Sequence, residues 1–154
     1  MAWSASKVFA RLISDKLSGT TAMDLDSDSF KVALYNNSIT PDNTVATAAL
    51  TEYNGAASQW VTANEVSQAV QWPAGGESLA SVTWTQASNV DTFTAANTSS
   101  GSAATLASVY GCLVYDTTVS SEGLAYLSFG GSNSVTAGTF TVVYNASGIV
   151  AFST

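Results

Sequence analysis

Asp24-Leu-Asp-Ser-Asp-Ser-Phe-Lys-Val-Ala-Leu-Tyr-Asn-Asn37 is the stretch on which the reading of the fold turns. An acidic, turn-prone approach runs into a segment whose apolar positions alternate: Phe30, Val32 and Leu34 face one way, and Lys31, Ala33 and Tyr35 the other. Alternation at period two is the mark of a β-strand. The stretch also divides the chain. Before it lies the one convincing helical pattern and nearly all the positive charge. After it come Ser/Thr/Gly-rich segments that read as short strands separated by turns.

A chain of 154 residues fits a single domain, able to bury roughly two-thirds of the surface its unfolded form exposes. Residues 1–19 form a helical N-terminal segment and 20–154 a β body. Charged residues are only 10 % of the chain, against roughly 25 % in ordinary soluble domains, so solubility rests on hydroxyls, amides and a few carboxylates. Lys7, Arg11, Lys16 and Lys31 are the whole basic set, and the net charge of −7 falls on the body after Lys31. Such a surface repels nucleic acid, whose binding depends on Lys and Arg displacing condensed counterions. No apolar run approaches the length of a membrane span and the first residues lack a signal-peptide pattern, which predicts no membrane partner and synthesis in a cytoplasm.

Outward from the central stretch, the N-terminal side reads as a short amphipathic helix over 5–18. Ser4 is placed to cap it, Trp3 to staple onto Val8, and Gly19 to stop it. Val8, Phe9, Leu12, Ile13 and Leu17 make the apolar stripe, while Lys7, Arg11 and Asp15 follow at four-residue steps on another face. A helix this short needs a docking surface, either its own sheet or a partner met by its basic edge. Asp24-x-Asp26-x-Asp28 begins like a calcium loop, but Ser29 stands where the glycine belongs and Tyr35 where a bidentate Glu is needed. It reads as a solvated turn.

On the C-terminal side, Asn54-Gly55 signals a tight turn. Gln59–Thr62, Glu65–Trp72, Leu79–Thr85 and Val90–Thr94 read as strands, and Thr105–Tyr115 as a central one in which Gly111 marks a bulge or close packing. Leu124–Phe129 follows, Gly130-Gly-Ser-Asn reads as punctuation, and Thr139–Tyr144 with Ile149–Ser153 as a closing hairpin. The predicted fold class is all-β: an antiparallel β-sandwich or Greek-key barrel of about eight to nine strands with one N-terminal amphipathic helix. Cys112 sits in an apolar strand and reads as a small core hydrophobe. Trp60, Trp72 and Trp84, spaced by twelve, read either as packing residues or as a sugar-stacking platform.

Catalytic chemistry finds little to stand on. The chain has no histidine, which removes the commonest general base, the Ser-His-Asp and Cys-His triads and the usual transition-metal ligand. One cysteine cannot build a zinc cluster, and neither Gly75-Gly76 nor Gly130-Gly131 continues into a phosphate loop. A carboxylate pair for glycoside hydrolysis remains formally open, for example Asp116 with Glu122, which flank a predicted surface turn where carboxylates are ordinary. No enzyme activity, cofactor or metal is expected.

The order of features resembles a group of small virion structural proteins of tailed bacteriophages. The resemblance is carried by an N-terminal helix ending in Gly before Asp24–Pro41, Asn64-Glu-Val66, Trp72-Pro-Ala-Gly-Gly76, Val109-Tyr-Gly-Cys-Leu-Val-Tyr-Asp116, Leu124-Ala-Tyr-Leu-Ser-Phe-Gly-Gly131 and Val135–Tyr144 with Gly148-Ile149. It implies a capsid decoration or minor capsid protein on the head surface, assembled in the host cytoplasm. It also implies binding to the major capsid protein and self-association into a homo-oligomer. On that footing Trp3, Lys7, Phe9 and Arg11 are the expected partner-binding residues. A tail component (tube or baseplate) and a carbohydrate-binding adsorption module are the alternatives.

Overall fold

The computed structural model describes residues 3–20, 23–45 and 47–153. In chain order its elements are β1 (Lys7–Val8), α1 (Ala10–Ser18), β2 (Phe30–Tyr35), two short 3-10 turns (Ala48–Leu50 and Thr62–Asn64), β3 (Glu77–Ser78), β4 (Thr83–Ala87), β5 (Val90–Thr94), β6 (Thr98–Ser99), β7 (Ala104–Asp116), β8 (Gly123–Gly138), β9 (Thr141–Val142) and β10 (Val150–Ser153). The molecule is mostly β, its sheets are antiparallel, and none closes into a barrel among the described residues. A five-stranded sheet runs β1-β8-β7-β2-β3, a three-stranded one β10-β5-β4, and β6 pairs with β9 alone.

β2 forms where its alternation predicts, antiparallel to β7 from Phe30 opposite Asp116 to Tyr35 opposite Gly111. Its two faces feed different clusters. Phe30, Val32 and Leu34 join Cys112, Val114, Trp72 and Phe93, while Ala33 and Tyr35 join Trp3, Phe9, Trp60, Leu113 and Tyr126. Both faces are therefore covered, which is why the strand is apolar almost throughout. Cys112 is a buried free thiol, as read from its context, and burial pushes its pKa up.

The N-terminal segment departs from the sequence reading. The helix starts at Ala10 and not at residue 5, because Lys7 and Val8 pair with Tyr126 and Ala125 at the edge of β8. Phe9 sits at the cap position with extended backbone and no side-chain cap, its N–H donating to Leu124 O at 3.2 Å. Backbone bonds to an open sheet edge outweigh the helix propensity of Lys7, and the β-branched Val8 favours the strand. Trp3 does not staple onto Val8. It packs edge-on against Trp60 and Tyr126 and donates from Nε1 to Asn36 O at 3.0 Å. Gly19 ends the helix in the left-handed region, as expected.

Three further differences have physical reasons. The Gln59–Thr62 and Glu65–Trp72 strands are absent, replaced by a 3-10 turn and isolated bridges. Their tryptophans serve as plugs: Trp60 and Trp72 are fully buried. The Gly130-Gly131 pair is not punctuation but lies inside β8, where Gly130 adopts φ +74° as the ladder slips between Val109/Asn133 and Gly111/Ser128. Such a bulge needs a residue free to take positive φ. The closing hairpin also dissolves: its Asn145–Gly148 turn is real, but Thr141–Val142 pairs with β6 and Val150–Ser153 with β5. Gly111 is close-packed, as read, since a Cβ there would lie 2.2 Å from the Trp3 ring.

Candidate functional site

The helix presents its apolar residues unequally. Leu12 is buried against the body, but Ile13 is 41 % and Leu17 86 % exposed. They border an open groove of about 210 Å³ between α1, the Met23–Leu25 segment and the three-stranded sheet, with Trp84 of β4 and Phe152 of β10 as its far wall. Trp84 and Phe152 pack at 6.0 Å between ring centroids. Lys16 and Asp91 are the two charged residues in its lining, and Lys16 Nζ is tied to the carbonyl of Met23. An exposed leucine on a groove walled by aromatics is a surface built to receive apolar side chains.

The expected partner-binding residues are split by this geometry. Trp3 and Phe9 are fully buried, so they hold the segment in place and touch no outside molecule. Lys7 is exposed on β1. Arg11 is engaged: its Nη2 lies 2.6 Å from Asp15 Oδ1 and its Nε donates to Oδ2 at 2.8 Å. Asp15 is itself buried beneath this bidentate pair, so the polar face read from the sequence is partly an inner one. Ile13 and Leu17 were read only as part of the apolar stripe and Trp84 only as a packing or sugar-stacking residue, and Phe152 was not singled out. The signal that could have found the first two is the apolar stripe itself, which is too wide for a nine-residue helix to bury once Val8 and Phe9 have left it.

The acidic groups are used internally. Glu65 accepts the Tyr53 hydroxyl at 2.9 Å and the Gly75 N–H at 2.9 Å, while Tyr115 Oη donates to Gly75 O at 2.7 Å and stacks on Tyr53. Burial pushes the Glu65 carboxyl up against the pull of these donors. The cluster clamps the Pro73–Gly76 turn onto β2, where a Cβ on Gly76 would lie 1.9 Å from Val32 O. In the aspartate-rich approach, Asp24 Oδ1 accepts the Asp26 N–H and Asp28 Oδ2 the Asp24 N–H, a self-capped turn. Among the described residues no three Asp, Glu, His or Cys side chains converge as a metal site. Asp116 and Glu122 are both buried at the β7–β8 connection, where the Asp116 N–H donates to Glu122 O at 2.9 Å. Of the three tryptophans spaced by twelve, only Trp84 has an exposed edge, at the groove.

No family model matches the chain, and no curated protein or solved structure matches it either.

Proposed function

We propose that the chain is a non-enzymatic structural protein of a tailed-phage virion, a head decoration or minor capsid protein that stabilises the shell by binding the major capsid protein. The observation that carries this reading is the exposed Ile13–Leu17 ridge beside an apolar groove, on a chain without histidine. A shell-binding module needs a rigid body and a docking surface, and it stabilises a lattice through mass action on each occupied site. We read the five- and three-stranded sheets as the two layers of a β-sandwich, joined where Phe30 of β2 meets Phe93 of β5 at 5.0 Å. The groove between α1 and the three-stranded layer then faces the shell, with Trp3 and Phe9 anchoring the segment from within.

Two measurements test it. Quantitative mass spectrometry of virions, after separating heads from tails, is expected to find this chain with heads in copies comparable to the shell protein; a few copies travelling with tails would make it a tail component. Leu17→Glu is expected to leave the fold within about 0.5 kcal/mol of the wild type, since the side chain is exposed, and to abolish attachment to purified heads. Full attachment of the Leu17→Glu protein would remove the groove from the interface.

A further inference from the structure

β4 is an outer strand of the three-stranded sheet, and the turn that follows it fixes which of its backbone groups face outward. Ser88 and Asn89 both take positive φ, 52° and 65°, the conformation of a two-residue hairpin turn, which closes on a hydrogen-bonded pair. Ala87 opposite Val90 is that pair. Thr85 opposite Thr92 and Thr83 opposite Thr94 then also bond to β5, and the N–H and C=O of Trp84 and Gln86 point away from it. Among the described residues no other backbone group bonds to either. The outer strands of the five-stranded sheet, β1 and β3, have two residues each and β10 has four, whereas β4 has five, with no proline, charge or bulge to blunt it. All but Trp84 are exposed. An edge left in that state is a template for another strand.

Through Trp84 the same strand forms a wall of the groove beside α1. Gln86 shares a face with Trp84, and each begins a row that crosses the sheet: Trp84 to Phe93 to Val150, and Gln86 to Asp91 to Phe152. A strand laid along the edge extends both rows, with one residue opposite Trp84 and another, two positions away, opposite Gln86. Charge specifies the second. Asp91 lines the groove and forms no ion pair among the described residues, while the other charge there, Lys16, is tied to the Met23 carbonyl. A residue opposite Gln86 stands two strand spacings, about 10 Å, from the Asp91 backbone. A Lys or Arg side chain lying over Gln86 closes that gap.

We infer that β4 receives an extended segment of the shell protein as an added strand, with an apolar residue against Trp84 and a Lys or Arg two positions away facing Asp91. This rests on the shell-binding reading above and specifies how the groove is filled: main-chain bonds hold the segment, and the two side chains select it. The test is co-sedimentation of the full chain with purified heads over a range of concentrations. Gln86→Pro removes an N–H that bonds nothing within the chain, at an edge position where proline is tolerated. It is expected to melt cooperatively and to attach at least about tenfold more weakly. Gln86→Ala leaves the backbone edge intact and is expected to attach within about twofold of the wild type. Asp91→Asn is expected to weaken attachment at least about threefold, an effect lost at high salt. Hydrogen exchange of the wild type needs no variant: the segment Thr83–Ala87 is expected to gain two slowly exchanging amides, those of Trp84 and Gln86, on the heads. Attachment undiminished by a folded Gln86→Pro overturns the inference, as does unchanged exchange over Thr83–Ala87 in attached protein; either leaves shell binding itself standing. Attachment undiminished by Asp91→Asn removes the basic residue from the segment. A wild type that does not attach to heads overturns the shell-binding reading and the added strand together.

Discussion

Removal of residues 1–19 is expected to abolish folding, not merely attachment. The segment contributes Trp3, Phe9 and Leu12, all essentially inaccessible, to the clusters on both faces of the five-stranded sheet. Trp3 and Phe9 each pack edge-on against Trp60 and Tyr126, so their loss opens one continuous hole around Trp60. Emptying such sites costs about 3–5 kcal/mol for each aromatic and about 2–5 for the leucine, against a total stability of about 5–15 kcal/mol for a domain. Deletion also uncovers the β8 edge at Ala125 and Tyr126. The expected result is a chain without a cooperative thermal transition and without near-ultraviolet circular dichroism. A truncated protein that melts cooperatively would show that the segment is an appendage. Trp3→Ala is the graded form, expected to cost about 3–5 kcal/mol while keeping the fold.

The same segment shows where sequence patterns stop. β2 was legible to the residue because its signal is local, an alternation that the apolar clusters on both of its faces reward. β5 and the left-handed stop at Gly19 were local too. β1 was not, since Lys7 and Val8 become a strand only because Tyr126 and Ala125 offer an edge 117 or more residues away. The periodicity around Val8 and Phe9 fits a helix until that edge is known. The glycines of β8 carry the same ambiguity: Gly130 has the conformation of a turn, yet the chain continues as a strand past a bulge. In the last thirty residues the Asn145–Gly148 turn was legible, while the partners of its flanking strands were not, because β5 and β6 compete for them across the fold. The candidate site suffered most. Aromatics and basic residues were chosen for their chemistry, and burial then removed Trp3 and Phe9 and left the exposed ridge to Ile13 and Leu17.

Stability is expected to fall as pH rises from about 4 to about 6, a loss of about 2–3 kcal/mol centred on Asp116. Its side chain is wholly buried, with Oδ1 accepting the Thr118 N–H at 2.6 Å and the more distant Val119 N–H. Oδ2 has no donor when both carboxyls are ionised, and it faces Asp28, to which it hydrogen-bonds once a proton is present. Burial pushes the Asp116 pKa from 3.8 to about 6, and the Asp28 carboxylate pushes the same way. The native state therefore binds a proton that the unfolded chain has released throughout that window, so its advantage is complete below the unfolded value and gone above the folded one. Glu65, raised by burial, adds to the slope. Asp24 and Asp42, lowered by hydrogen bonds from their own turns, act oppositely and only at lower pH. Asp116→Asn keeps an acceptor for Thr118 and gives Asp28 a permanent donor. Its melting temperature is expected to match the wild type near pH 4 and to exceed it by about 5–10 °C near pH 8. Equal melting temperatures at both ends of the range would mean that Asp28 and Asp116 share no proton.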